Sequence, residues 1–364
     1  MDKTPATPGR RPTISEVARA AGVARATAAR ALGDYGYVSD EAKERVLAAA
    51  AKLSYRPNEL ARSVASKRSR TLGVIVADAA EPFFGELVRG VSQAARLASF
   101  DVVVVDTGGD LALERSGVRA LLDKRVDALV VASAEPLDGR APHLHDAVRD
   151  GVPIVLVDRE VRGVPADVIV TDSRRAIADA VGELAELGHE RIALIWGPEL
   201  AAPPHTTDDL VAAMRGVVST GADRVLGYLD GHADHSLPVD LDLVALVPED
   251  RAAGEAAIIG MLGGTQRPSA IVATDSNATL AALAATRAAG LRVPGDIAIV
   301  GFDETPWAAF TDPPLTMLDQ SGETVGRAAM AAALRRIDGD EGPHSRSLVS
   351  MTIVRRGSVG PREV

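Results

Sequence analysis

The sequence contains no cysteine, and only 3% of it is aromatic. The first absence excludes a disulfide framework and thiolate metal sites, and it fits a reducing compartment. The second leaves the core to Val, Ile, Leu and Ala, within a hydrophobic content of 46%. Long apolar runs are missing too. Stretches such as Ile192–Trp196 are strand-length, far short of the roughly 20 residues a membrane-spanning helix needs. Residues 1–12 are polar, carry Arg10 and Arg11 and hold no apolar h-region, so neither a secretory signal nor a membrane partner is expected. No Gly-rich phosphate loop follows a strand-like run, and no nucleophile, base and orienting group stand together. Neither an enzyme nor a bound cofactor is expected. His232-Ala233-Asp234-His235 has metal-like residues but falls in an expected polar loop, so no metal is assigned to it. His205, beside Asp208 and Asp209, reads as a solvated loop, and His189 as a charge partner at a helix C-terminus.

What is present is an uneven charge. The net value is −10, yet residues 1–70 hold 14 Lys and Arg against 7 Asp and Glu. That segment is net +7 and the remainder net −17. A basic module on an acidic body confines contact with a polyanion to one end.

The basic segment has a helical pattern. Thr13-Ile14-Ser15-Glu16 is a capping-box sequence, and Ile14, Val17, Ala18 and Ala21 follow at helical spacing. Gly22 stands where a left-handed turn residue is wanted, Val23 supplies an apolar plug, and a second helix is expected from Ala24 to about Leu32. Helix, glycine turn, helix is the helix-turn-helix unit, whose second helix enters the major groove. Ser39 caps a third helix, with Asp40 and Glu41 in its first turn and Val46, Leu47, Ala50 and Leu53 closing a small core. A short helical stretch is expected over Glu59–Ala65, then the basic linker Lys67-Arg68-Ser69-Arg70.

The run Thr13-Ile14-Ser15-Glu16-Val17-Ala18-Arg19-Ala20-Ala21-Gly22-Val23, then Thr27 and Arg30, then Tyr55-Arg56-Pro57-Asn58-Glu59-Leu60-Ala61-Arg62-Ser63, resembles the headpiece and hinge of the lactose/galactose repressor family. The resemblance implies double-stranded operator DNA as partner. It places base readers at Arg25 and Ala26 with Arg30 one turn later, Thr27 near phosphate, and Thr13, Tyr37, Asn58, Ala61, Arg62 and Val64 among the DNA-facing residues. The family's hinge wedges an apolar side chain, usually leucine, into the minor groove; Val64 implies a shallower wedge. Ala24, Ala28-Ala29 and Gly33 depart from the family's common residues, which implies a modest affinity per half-site.

From Thr71 strand-length runs alternate with amphipathic stretches: Leu72–Val76, Val102–Val105, Ala128–Val131 and Ile154–Val157, then Val168–Val170, Ile192–Trp196, Val225–Leu229, Ile271–Ala273 and Ile297–Val300. Two such blocks predict an α/β body of two doubly wound parallel sheets, with a ligand in the cleft at the strands' carboxyl ends. The resemblance continues here in Glu81-Pro82-Phe83-Phe84, Gly188-His189-Glu190-Arg191-Ile192-Ala193, the run from Gly290 to Asp303, and Pro313-Pro314-Leu315-Thr316. It covers about residues 13–357 and implies a core like that of periplasmic binding proteins, crossed near residues 170, 319 and 349. The expected organisation is a disordered tail over 1–12, a helix-turn-helix domain over 13–57, a hinge and linker over 58–70, and a two-lobed effector-binding and dimerisation domain over 71–364. Lobe 1 takes about 71–169 and 320–348, lobe 2 about 170–319 and 349–364.

The resemblance also implies a ligand set: Phe83 and Phe84, an Arg early in a second-lobe helix whose place falls on or near Asp209, an Asn-Asp pair that here reads Thr274-Asp275, and the Asp of Phe302-Asp303, with Asp158. Losing two polar anchors makes an acidic ligand a poor fit and leaves two readings: a sugar-like effector, or a degenerate sensor that represses without one. The expected protein is a cytoplasmic, nucleoid-associated repressor, a homodimer on a palindromic operator, without the leucine-heptad tail of a four-chain bundle. A transport solute-binding protein would share the two-lobed fold but needs a signal segment and no headpiece.

Overall fold

The structure is a computed structural model; it describes residues 12–33, 36–55, 68–196, 200, 203–246, 251–264 and 266–362. The chain divides into two units, Met1–Arg70 and Thr71–Val364.

In the first unit, α1 (Ile14–Ala21), α2 (Arg25–Gly33) and α3 (Asp40–Lys52) pack together. Small side chains let them close: Val17, Ala18, Ala21, Ala28, Ala31, Val46, Ala49 and Ala50 form the core. The Glu16 carboxylate accepts the Thr13 N–H at 2.7 Å, satisfying a donor that the helix start leaves free. Gly22 ends α1 at φ 65°, its N–H bonded to carbonyls of the last turn. The Ser39 hydroxyl caps α3 by accepting the Ala42 N–H.

The second unit holds two six-stranded sheets. The first contains β1 (Thr71–Val76), β2 (Asp101–Asp106), β3 (Ala128–Val131), β4 (Ile154–Val157), β5 (Asp167–Thr171) and β11 (Arg346–Val349), in the order β11-β5-β4-β3-β1-β2. The second contains β6 (Ile192–Trp196), β7 (Val244–Leu246), β8 (Ala270–Ala273), β9 (Ala298–Phe302), β10 (Thr316–Asp319) and β12 (Thr352–Val354), in the order β12-β10-β9-β8-β6-β7. All pairings are parallel except β10 with β12. The near-continuous burial of the inner strands is what a sheet covered on both faces requires. The chain changes sheet after β5, after β10, and between β11 and β12. Among the described residues no helix is long and apolar enough to cross a membrane.

Two helices are exchanged between the lobes. The helix after β5, α7 (Ser173–Glu186), packs against α9 (Ser219–Asp234) of the second lobe; the short α8 (Thr207–Ala213) precedes α9. The helix after β10, α12 (Gly322–Ile337), packs against α4 (Pro82–Leu97) of the first. Both contacts bring backbone onto backbone. A Cβ on Gly326 would lie 2.1 Å from the Leu87 carbonyl oxygen, and one on Gly227 2.2 Å from that of Arg174. Glycine is the only residue these positions admit.

One expected strand is a helix. Residues 225–229 lie inside α9, where Val225, Tyr228 and His232 are buried at three- and four-residue spacing. A short apolar run does not by itself distinguish the two periods, and β7 is the strand that takes that place in the sheet. His232-Ala233-Asp234-His235 therefore ends a helix rather than filling a loop. The His232 Nδ1 lies 2.9 Å from the Tyr228 carbonyl oxygen, burial pushes its pKa down, and no metal-holding cluster exists among the described residues. His189 differs from expectation too. It is buried, its Nδ1 3.0 Å from the Ser269 hydroxyl and its Nε2 3.0 Å from the Gly360 carbonyl oxygen. Burial lowers its pKa, which favours a neutral structural link over a helix-end charge.

Each lobe secures its returning chain at the first residue of its fifth strand. In lobe 1 this is Asp167, whose carboxylate accepts from Arg336 Nε at 2.7 Å and from the Ser345 N–H and hydroxyl at 2.8 and 2.7 Å. Burial alone would raise its pKa, but these bonds and the Arg336 charge outweigh it and hold the group at about 2. The remaining donors of Arg336 reach the carbonyls of Asp340, Gly342 and Pro343. In lobe 2 the position is Thr316. Its N–H donates to the Ser358 hydroxyl at 2.8 Å, and that hydroxyl donates to the Ile299 carbonyl at 2.6 Å.

Candidate functional site

Arg25 and Ala26 are exposed in the first turn of α2, where a recognition helix offers its readers. Thr27 and Arg30 are half-buried, and Arg30 Nε donates to the Ala26 carbonyl at 3.3 Å. Thr13 is half-buried at the cap of α1, and Tyr37 is 89% exposed, an unusual state for a large aromatic side chain. Asn58, Ala61, Arg62 and Val64 lie outside the described residues, as does most of the expected hinge.

In the second unit, the candidate residues gather at the carboxyl ends of the strands. Asp158 follows β4 and Asp303 follows β9, equivalent strands of the two sheets, and both adopt left-handed backbone, φ 61° and 65°. Asp tolerates that conformation better than most side chains. The two N–H groups donate to Ile169 and Leu318 on the neighbouring strands, at 3.0 and 2.9 Å. Asp275 caps α11 (Ser276–Ala288) by accepting the Ala278 N–H at 2.7 Å. Thr274 is buried beside it, its hydroxyl 3.5 Å from the Asp275 carboxylate. The Arg224 guanidinium carbon stands 4.4 Å from the centroid of the Phe302 ring, a cation-π distance. Glu81 caps the start of α4 without a side-chain bond to it.

The electrostatics tie these groups into one site. Burial pushes Glu81 up to about 8; Asp303, Asp275 and Asp158 add to the rise, and Arg224 opposes it. Burial likewise raises Asp303 to about 7, against Arg224 and the Gln320 amide, which donates to its Oδ1 at 2.7 Å. Asp158 is raised by burial and held back by Arg159 and Arg224. Arg159 Nε lies 3.4 Å from Asp158 Oδ2, while Asp158 Oδ1 is buried with no hydrogen-bond partner. The lobes also touch directly: the Glu160 N–H donates to the Ser219 hydroxyl at 2.8 Å.

Three expected ligand residues fall elsewhere. Phe83 and Phe84 are buried in the first-lobe core, edge to face at 5.2 Å. Asp209 is exposed in the first turn of α8, where its carboxylate accepts the N–H groups of His205 and Thr206, so it does not join the set. The guanidinium expected early in a second-lobe helix stands at Arg224 instead, in the second turn of α9. Reading 225–229 as a strand concealed it; Asp223-Arg224 followed by Gly227-Tyr228 was the signal. Glu81 and Gln320 also escaped the sequence reading. The arrangement offers carboxylates, one amide and one guanidinium, which suits holding a polar molecule.

Comparison with known proteins agrees with this geometry. The pattern of the bacterial regulatory proteins of the lacI family matches residues 13–58, and that of the periplasmic binding protein-like domain matches residues 181–359. The chain is 30% identical to the HTH-type transcriptional repressor CytR of Escherichia coli (strain K12), across 95% of this chain and 96% of that protein. It is 27% identical to the HTH-type transcriptional regulator DegA of Bacillus subtilis (strain 168), across 96% and 98%. Among solved structures, a complex of the transcriptional regulator CelR with cellobiose is 28% identical, with a TM-score of 0.67 over 96% of this chain and all of that one. The lac repressor dimer bound to operator, 24% identical, shares the fold with a TM-score of 0.79 over 96% of this chain and 99% of that one.

Proposed function

This chain belongs to the lacI family of bacterial regulatory proteins, and on that premise we propose that it is a repressor whose grip on DNA is set by a small polar effector held between its lobes. The family membership makes it a DNA-binding transcriptional regulator. The observation that carries the finer reading is the meeting of Asp158 from one lobe with Arg224 and Asp303 from the other, since a molecule bound there would stabilise one arrangement of the lobes over another. An effector changes operator affinity only through such a difference. Arg224 supplies the cation that Asp209 does not, which favours a working sensor over a degenerate one. The relative CelR was solved with cellobiose, and this supports a sugar-like effector here. We read the operator as palindromic and the protein as a homodimer, since two-fold protein symmetry demands two half-sites.

Selection of bound DNA from a random pool at fixed salt tests the reading. A palindromic site should emerge, and its enrichment should change when an effector is added. Failure to enrich any palindrome defeats the proposal. Arg25→Ala should relax one base position, at a cost of about 1–3 kcal/mol, without touching effector binding.

A further inference from the structure

Carboxyl groups outnumber guanidinium groups in the cleft. Carboxylates from four elements face it: Glu81 at the start of α4, Asp158 after β4, Asp275 at the start of α11 and Asp303 after β9. Against them stand Arg224 from α9 and Arg159 after β4. Two carboxylates are partly committed, Asp275 to its helix cap and Asp303 to Gln320. Asp158 meets Arg159 through Oδ2, but its side chain is 5% exposed and Oδ1 has no hydrogen-bond partner. A buried acceptor left unmade is costly, so a native site with such an atom is one that expects a donor from outside. Arg224 Nε is a buried donor without a partner, and it asks for a ligand oxygen.

We propose that the cleft is built for a small molecule carrying a protonated amine on a hydroxyl-bearing frame, of which an amino sugar is the simplest member. This rests on the reading of the cleft as the effector site. The ammonium answers Asp158 and the surplus of negative charge, while a hydroxyl answers Arg224 Nε. A carboxylate or phosphate on the ligand would bring a further acidic group to a site that already sets four carboxyl groups against two guanidinium groups. A neutral sugar would leave the surplus standing. The raised values of Glu81 and Asp303 fit this charge balance: without a ligand cation the carboxylates hold protons instead. Binding an ammonium then expels protons, whereas binding a neutral polyol does not.

Calorimetry with the full-length protein tests this on matched triplets: glucosamine, glucose and glucuronate, and galactosamine, galactose and galacturonate. The amino member should bind at least about tenfold more tightly than its neutral counterpart, and the uronate should not bind. The heat should depend on the buffer's ionisation enthalpy at pH 7, reporting proton release. Asp158→Asn keeps the side chain's shape and removes its charge; it should cost the amine more affinity than its neutral counterpart, so that the ratio between the two falls toward one. Asp303→Asn, which suits the left-handed backbone, should weaken all cleft binding. A neutral or acidic member that binds best, and loses affinity in Asp303→Asn, overturns the charge class and leaves the cleft as effector site. Silence across both triplets, or binding indifferent to both variants, overturns the effector reading and this inference with it.

Discussion

Asp158 and Asp303 occupy the same place in the two lobes, one residue past equivalent strands and in the same left-handed backbone, yet their surroundings differ. Asp303 has Gln320 on one oxygen, with Arg224 stacked on the preceding Phe302. Asp158 has an unpartnered oxygen, with Arg159 Nε 3.4 Å from the other. The closing contacts differ in the opposite sense. Lobe 1 pins its fifth strand with the buried Asp167–Arg336 pair, lobe 2 with the neutral hydroxyls of Thr316 and Ser358. One architecture thus carries a buried ion pair at the start of its fifth strand in lobe 1, and in lobe 2 a hydrogen-bonded carboxylate beside a guanidinium stacked on Phe302.

The sharpest way to break this contrast is at the closing contacts. Arg336→Ala strands a buried carboxylate and should cost about 3–5 kcal/mol in denaturant unfolding, whereas Ser358→Ala should cost about 1–3 kcal/mol. Equal losses would mean that the lobes are not secured differently. Next are the glycine contacts. Gly326→Ala and Gly227→Ala should each destabilise by about 1–3 kcal/mol or more. Only Gly227→Ala should also weaken effector binding measured by calorimetry, because α9 carries Arg224 one turn before the clash. Arg224→Ala should reduce effector affinity by about 2 kcal/mol, roughly 30-fold, and Arg159→Ala by less; the reverse ranking would make lobe 1 the organiser.

The remaining test lies in pH. Glu81 and Asp303 have folded values raised above their unfolded ones, so their contribution is complete below about pH 4 and is lost as pH rises through about 7 to 8. Asp167 is depressed to about 2, so its contribution is present above about pH 4 and is lost as pH falls toward 2. The melting temperature of the ligand-free protein should therefore decline between pH 5 and pH 8.5. That decline should flatten in Asp303→Asn and persist in Arg336→Ala.

Much of this fold was legible because its strands are buried on both faces and read as unbroken apolar runs. Ala128–Val131, Ile154–Val157 and Ile192–Trp196 have the same limits in sequence and structure. The helix-turn-helix was legible for a local reason: Gly22 and Ser39 each dictate a helix end through their own backbone or hydroxyl chemistry. What failed was a choice of period. Val225–Leu229 is apolar enough for either element, and the deciding facts, Gly227 and Gly231 against the backbone and side chains of α7, are tertiary. Arg224, just ahead of that run on the same helix, was passed over with it. Gln320 was invisible for a related reason, since its partners Asp303 and Thr171 lie far away in sequence and meet only where the chain changes sheet.

The exchanged helices have a consequence in time. Lobe 1 begins at Thr71, but its covering helix, Gly322–Ile337, and its last strand, Arg346–Val349, leave the ribosome only after β6 to β10 of the other lobe. Until then, the face of Phe83, Leu87 and Val91 that the late helix seals has nothing to rest against. The half made first stays open until most of the other is made, and a ribosome that stalls anywhere before Gly322 releases a chain with an open flank, ready to be taken up by a chaperone or a protease.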